Sequence, residues 1–357
     1  MGSILKVQTD YIIVGQGLAG SLIALNLLRR GKSVWVIDDG HKHAASQVAA
    51  GLINPITGRR HVLTWRFLEF WKFLQNDYSG WEDELGTRFF YQKPILRFLK
   101  TAEEKTIFEQ KLKAGAFEGV DLDYPAESEQ IPGCKVTEPC YQVHQTGFVD
   151  QALFIERVRQ QLLSKESLIE DCWLASDFKR ASGEVRWKQF KASNIIFTQG
   201  FQNDSNPYFR DLPFRHSKGE ILQLRGPNLD GLPVLNRGKW LLPTGSGNYR
   251  AGATYDLKNI DQDVTEAGIS EITNGVEDMV DWEFQVTGCQ AGVRPALHDF
   301  KPVLGKHPWY PECIIFNGLG SKGSLQAPLL AKELVDYLED GTPLRPESDI
   351  ERFRKYL

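Results

Sequence analysis

The stretch DYIIVGQGLAGSLIALNLLRRGKSVWVID, residues 10–38, decides the fold. Tyr11-Ile12-Ile13-Val14 is a short apolar run that breaks at Gly15. A helix-like pattern follows from Leu18, carries Leu22, Ile23, Leu27 and Leu28, and closes at Arg29-Arg30-Gly31. The arginines suit the negative end of a helix dipole, and Gly31 suits a C-terminal cap. Ser33 to Ile37 is a second apolar run, ending in Asp38. Strands buried on both faces read as near-continuous apolar runs, so the stretch is a βαβ unit. Inside it, Gly15-Gln16-Gly17-Leu18-Ala19-Gly20 fits G-x-G-x-x-G after a strand and at a helix start. Gly15 permits the tight turn, Gly17 lets a pyrophosphate approach the backbone, and Gly20 lets helix pack on strand. The helix N-terminus adds free N–H groups and a positive dipole end. Asp38, with Asp39 beside it, stands where an acid would hold a ribose hydroxyl, and an acid there disfavours a 2′-phosphate. A dinucleotide is the expected ligand, although these residues do not separate FAD from NAD; the plain alternative is a tight βα turn in another α/β fold.

Working outward, Arg66 lies at a helix start, and Thr101-Ala102-Glu103-Glu104 reads as a capping box opening a helix that stops at Gly115. Asp121 to Cys140, rich in Pro, Glu and Gly, reads as irregular. Asp150 caps an amphipathic helix with Leu153, Phe154, Val158 and Leu162 on one side. Asn194 to Thr198 is another buried-type strand, and Lys218 to Thr254 alternates strands with Gly/Pro turns, as an antiparallel sheet does. Cys313 to Phe316 is a last buried strand, followed by a glycine-rich loop and a helix from Ala327 to about Asp340. Dinucleotide-type elements thus open and close the chain and recur in its middle. The expected fold class is α/β: a Rossmann-type domain from residues 1–80, 146–210 and 290–357. A discontinuously inserted α+β substrate domain, mainly antiparallel sheet, takes residues 81–145 and 211–289.

Two domains also suit 357 residues, and 41% hydrophobic with 25% charged residues is the balance of a soluble globular protein. The apolar run near the start is broken by Gly15, Gln16 and Gly17, which argues against a membrane span. Met1 through Lys6 leads straight into a strand with no signal-peptide pattern, so a cytoplasmic location is the default expectation. Cys134, Cys140, Cys172, Cys289 and Cys313 form no CxxC pair, and the seven histidines form no ligand cluster, His41 and His43 being close together on a loop. Neither a disulfide framework nor a metal site is expected. The net charge of −4 argues against nucleic acid as an obligatory partner. Arg59-Arg60-His61, followed by Arg66, is the local basic exception.

Several separated segments resemble the D-amino-acid oxidase family of FAD enzymes, the group holding glycine oxidase and monomeric sarcosine oxidase. Beyond residues 10–38, Ala45-Ser46-Gln47-Val48-Ala49-Ala50-Gly51, with Leu52, is similar to the small-residue loop that passes under the flavin ring. Small residues suit such a loop because backbone must come close to a flat ring. Thr146 to Asp150 resembles the family's entry into its next helix. Thr198-Gln199-Gly200 resembles the strand end near the cofactor. Gly292-Val293-Arg294-Pro295, then Asp299, Pro302 and Val303-Leu304-Gly305, is similar to the segment leading into the flavin site. Asn317 to Pro328 resembles the loop closing over the flavin, with Gly318, Leu319, Gly320, Ser321, Lys322, Gly323 and Ser324 as cofactor contacts. Its likeness is to the oxidase half of the bifunctional tRNA 5-methylaminomethyl-2-thiouridine biosynthesis enzyme. Resemblance is weak between about Phe67 and Cys140.

The resemblance implies non-covalent FAD, since Cys289 is out of register with the cysteine that sarcosine oxidase uses. It implies that Arg294 grips a substrate carboxylate, a match for a guanidinium fork, and also borders the cofactor. The alternative for Arg294 is a structural ion pair. Trp240 stands where glycine oxidase has a tyrosine, and indole donates a hydrogen bond but accepts none. Ser321 stands where glycine oxidase has an arginine. Tyr255 is a candidate wall or lid, and Lys322 a weaker substrate-side candidate, since a lysine in such a loop is usually exposed. The implied reaction is hydride transfer from a small amine or amino acid to flavin, hydrolysis of the imine, and flavin reoxidation by oxygen or another acceptor. The rivals are a tRNA-modification oxidase acting on a carboxymethylaminomethyl-type group, an NAD-dependent dehydrogenase and a non-catalytic flavoprotein. The sequence leaves the oligomeric state open.

Overall fold

In the computed structural model, which describes residues 7–41, 44–128, 131–181, 183–229 and 231–357, the strand Val7–Val14 sits inside an eight-stranded sheet. His43 and the run Met1 to Lys6 lie outside the described residues. Leu168–Glu170, Val34–Asp38, Val7–Val14, Phe190–Phe197 and Cys313–Asn317 are parallel in that order. Phe190–Phe197 shares one edge between two neighbours: its first half pairs with the hairpin strand Glu184–Trp187, its second with Cys313–Asn317. Side chains alternate across the central strand as its pleat requires. Tyr11 and Ile13 join the core under the helices Leu18–Arg29, Phe67–Leu85, Gln151–Ser164 and Gly323–Asp340. Ile12 and Val14 join a second core with Trp173, Trp187 and Phe197. Register levels Val14 with Ile37 and Phe197, so Gly15, Asp38 and Thr198 meet at one rim of the sheet. That rim, at the carboxyl ends of parallel strands, is where open α/β sheets bind ligands.

The second eight-stranded sheet runs in the order Gln285–Arg294, Ser217–Arg225, Asn248–Gly252, Lys239–Gly245, Val234–Arg237, Ile95–Phe98, Cys140–Val143, Leu122–Ala126. All its joints are antiparallel except that between Val234–Arg237 and Ile95–Phe98, so two antiparallel blocks meet at one parallel seam. The expected domain breaks at 80/81 and 289/290 both fall inside regular elements, Phe67–Leu85 and Gln285–Arg294.

Three local expectations are corrected. Asp121 to Cys140 contains the strand Leu122–Ala126, whose Pro125 and acidic neighbours hide the alternation. It lies at a sheet edge, where a missing N–H is tolerated. At residues 101–104 the Thr101 hydroxyl accepts from Glu104 N at 3.1 Å, but the Glu104 carboxylate returns to Lys100 N instead of Thr101 N. The last helix begins at Gly323, a turn before Ala327, and keeps Pro328 inside it. Proline cannot donate to the carbonyl four residues back. The Tyr78 hydroxyl donates to that carbonyl, Ser324 O, at 2.7 Å, and so replaces the lost backbone bond.

Candidate active site

One cavity of about 920 Å³ runs from the rim of the first sheet to the face of the second. At the rim, backbone does most of the building. Gly15 has φ 93°, and a Cβ there would stand 2.9 Å from Thr198 O. A Cβ on Gly20 would collide with the Gly15 carbonyl oxygen, which is why helix Leu18–Arg29 can sit so close to the turn. No side chain caps that helix; of its first amides, Leu18 N reaches Ser46 Oγ at 3.3 Å. The helix Gly323–Asp340 also starts uncapped at this cavity, so two positive helix ends converge on it.

Asp38 lines the rim but is almost fully engaged. Its carboxylate accepts from Gln16 N at 2.8 Å, Gly40 N and His41 N at 3.0 Å each, and Arg159 Nη1 at 3.1 Å. Those four bonds match the capacity of a carboxylate. Asp39, half-buried on the same wall, has no protein partner among the described residues. Its carboxylate is free to accept from a ligand at this rim. His41 bonds Gln16 Oε1 at 2.9 Å, and burial lowers its pKa against the raising pull of Asp38.

Between the two ends lies the small-residue loop. Gly51 takes φ 68°, and a Cβ there would run into the Val149 carbonyl. Arg250, from the second sheet, ties the loop down by donating to Ala49 O at 2.8 Å and to Val48 O. Opposite, Ala49, Ala50, Gly51 and Leu52 face Thr198, Gln199 and Gly200 and the loop Leu319 to Ser324 across the same space.

At the far end, side chains take over. Arg294 enters from Gln285–Arg294 and lies across Gly219, whose missing Cβ leaves the room its guanidinium occupies. Its partners are neutral: Lys218 O at 3.2 Å and Thr254 O at 3.4 and 3.5 Å. It pairs with no carboxylate among the described residues, and burial lowers its pKa. Trp240 crowds Gly252, where a Cβ would meet the indole at 2.8 Å, and it lines the cavity.

Residues 10–337 match the family described as FAD dependent oxidoreductase. The chain belongs to that family. It is an FAD-dependent oxidoreductase, with FAD as its cofactor. It is 25% identical, over 92% of its length, to the tRNA 5-methylaminomethyl-2-thiouridine biosynthesis bifunctional protein MnmC of Marinobacter nauticus, of which it covers 56%. The chain spans about half the length of the curated relatives of that kind. It is 22% identical to the glycine oxidase of Bacillus licheniformis over 96% of both chains. The crystal structure of glycine oxidase from Geobacillus kaustophilus superposes with TM-score 0.80 at 19% identity, covering 97% of this chain and 98% of that one.

The rim fits FAD on its own geometry: cradling glycines that no Cβ could replace, two uncapped helix ends for a pyrophosphate, and a free carboxylate at Asp39. Of the residues singled out in sequence, Gly20, Gly318 and Tyr255 do not line the cavity. Gly20 packs on Gly15, and Gly318 packs against Leu297. Tyr255 is 60% exposed and touches the site through Arg294, its ring centroid 5.9 Å from the guanidinium. Lys322, the weaker candidate, is half-buried on the cavity wall with no side-chain partner among the described residues, its pKa lowered by burial. Cys289 lies outside the cavity against the apolar core of the second sheet. The basic stretch also disperses: His61 is buried, Arg66 is ion-paired to Glu69 and Glu333, and Arg59 and Arg60 are exposed.

Sequence reading missed Asn236, His41 and Arg97 as lining residues. For Arg97 a signal existed, an arginine inside the apolar run Ile95-Leu96-Arg97-Phe98-Leu99. For Asn236 there was none.

Proposed function

We propose that the protein oxidises the C–N bond of an amine that carries a carboxylate, with Arg294 as the carboxylate anchor. The observation behind this is a half-buried guanidinium at the cavity wall whose only hydrogen-bond acceptors among the described residues are carbonyl oxygens. A buried charge without a counter-charge is costly, and an anionic ligand relieves that cost. Bound FAD supplies the two-electron acceptor for the substrate's hydride. The chain's residues provide orientation: Arg294 holds the carboxylate, the gap at Gly219 sets where its fork lies, and Ile221 and Trp240 form the wall beside it. Holding the reacting C–H in one pose removes much of the entropic part of the barrier. The imine leaves for hydrolysis in water, and Cys289 takes no part in cofactor attachment.

The test is the visible spectrum of the purified protein under anaerobic conditions during titration with amines, with and without a carboxylate. Bleaching that saturates for carboxylate-bearing amines and loses saturation in Arg294→Met supports the reading. Bleaching by amines without a carboxylate, unaltered in that variant, overturns it.

A second reading follows from the relatives named for tRNA biosynthesis: the amine is a carboxymethylaminomethyl group on a tRNA base, held by the same arginine. It predicts salt-sensitive filter binding of tRNA. The Arg59 to Arg66 stretch does not serve it as a continuous basic path, since Arg66 is ion-paired and His61 is buried.

A further inference from the structure

The far wall of the cavity holds a second guanidinium that the proposed reaction does not use. Arg97 is 8% exposed, lies in the strand Ile95–Phe98 and lines the cavity. Its Nη1 donates to Asn236 Oδ1 at 3.1 Å, its Nη2 reaches Gly58 O at 3.5 Å, and its Nε has no acceptor. No carboxylate pairs with it among the described residues. The charges that reach its neighbour His61 are cationic, Arg97 itself and Lys111. Asn236, which also lines the cavity, spends its carbonyl on Arg97 and keeps its amide N–H groups without a protein partner among the described residues. A buried cation and an amide donor without a protein partner on one wall form an anion site built from two strands.

Its position relative to Arg294 follows from register. Arg97 pairs with Asn236, Asn236 with Trp240, Trp240 with Gly252, and Gly252 with Ile221, so these residues form one cross-strand row on one face. Arg294 lies over Gly219, two residues from Ile221. From Asn236 to the Ile221 strand is three strand spacings, roughly 14 Å. Trp240 stands between them in that row and lines the cavity.

We propose that Arg97 and Asn236 form a second anion subsite, so that the substrate carries an anionic group at each end and an extended or planar middle over Trp240. This rests on Arg294 as the carboxylate anchor. It excludes glycine-sized amino acids as the best substrates, because they cannot reach both cations.

The experiment uses the FAD-loaded protein and reads ligand-induced shifts of the flavin band. Ligands are α,ω-dicarboxylates from glutarate to dodecanedioate, and monocarboxylates of matching length. The expected result is that dicarboxylates bind at least about tenfold tighter than their matched monocarboxylates over a window of lengths between suberate and dodecanedioate, a discrimination worth about 1.4 kcal/mol. The advantage disappears in Arg97→Met, while monocarboxylate affinity stays within about twofold of the parent. Matching ω-phosphonocarboxylates binding tighter still would make the second group a phosphate instead of a carboxylate. Equal affinity of dicarboxylates and monocarboxylates at every length in the unaltered protein overturns the subsite, whatever becomes of the variant. Loss of monocarboxylate binding in Arg294→Met tests the anchor separately. If that substitution has no effect while long dicarboxylates still need Arg97, the anchor falls and the subsite stands.

Discussion

The two ends of the cavity are made differently. The rim is backbone: glycines at fixed φ, uncapped helix ends, and Thr198 bonded to Val14 O and Gly15 O at 2.8 Å each. The far end is side chain: Arg294, Arg97, Asn236 and Trp240, brought from strands far apart in the chain. The rim gains shape because the chain itself cannot lie elsewhere. The far end gains chemistry by leaving two guanidinium groups, Arg97 buried and Arg294 half-buried, without carboxylate partners among the described residues, which suits a place a ligand fills. Damage to the rim should therefore abolish the cofactor, whereas damage to the far end should spare it and change what binds.

The sharpest attempt to break this contrast is Gly20→Ala. Its methyl group would need the Gly15 carbonyl and the Thr198 hydroxyl to move, a cost of about 4 kcal/mol or more. We expect flavin content near zero and a lowered Tm, read from the ratio of flavin to protein absorbance and from a melting scan. Retention of a full flavin complement would show that the rim is more pliant than its contacts imply. Next, Arg294→Met should lower kcat/KM for a carboxylate-bearing amine by about a hundredfold to a thousandfold, or roughly 3–4 kcal/mol, with flavin content unchanged. Loss of flavin with the activity would place Arg294 among the cofactor's supports.

The two halves also differ in how protons act on them. Beside the second sheet His61 is buried against Tyr141 and Phe108, and its pKa is pushed down to about 4 by burial, with Arg97 and Lys111 adding. The unfolded chain protonates near 6.5, so this group's contribution is full above 6.5 and is lost as pH falls towards 4, about 3 kcal/mol in all. In the Rossmann half Asp77 is raised to about 6 by burial, which Arg29 and Lys332 only partly offset. Its contribution is present below about 4 and is lost as pH rises through 6, again about 3 kcal/mol. Denaturant titrations across this range should therefore show His61→Phe flattening the acid limb. Asp77→Asn should raise stability at pH 7. Parallel pH profiles for the parent and both variants would remove the distinction.

The smallest effect belongs to Gly219→Ala, the far-end counterpart of Gly20→Ala. Here the methyl group meets the tip of Arg294 instead of backbone, and a side chain can swing away. We expect KM to rise about tenfold, with normal flavin content and Tm within a few degrees of the parent. A collapse of stability equal to that of Gly20→Ala would mean that the far end is as rigid as the rim.

The rim was readable because its requirements are local. A turn that must take φ 93° at Gly15, and a helix that must touch it at Gly20, constrain residues within a single βαβ stretch. The far end was readable in part. Arg294 and Trp240 came from resemblance, and Arg97 from its apolar surroundings only in retrospect. Tyr255 and Gly318 were misplaced because distance along a loop says nothing about which way a residue turns. Lys322, a weaker candidate because a lysine in such a loop is usually exposed, is half-buried on the cavity wall.

By itself, then, the sequence determined the βαβ unit, the dinucleotide cradle and the alternation of strands in the inserted sheet, since each follows from a short-range steric or periodic rule. Tertiary structure decided the rest. It saturated Asp38 through Arg159 and left Asp39 free. It dispersed the basic stretch into an ion pair and a buried imidazole. It set Arg97 and Arg294 on one sheet face, one on each side of Trp240. Each of these depends on which charges and strands end up as neighbours, and register between segments hundreds of residues apart is a property of the packed chain.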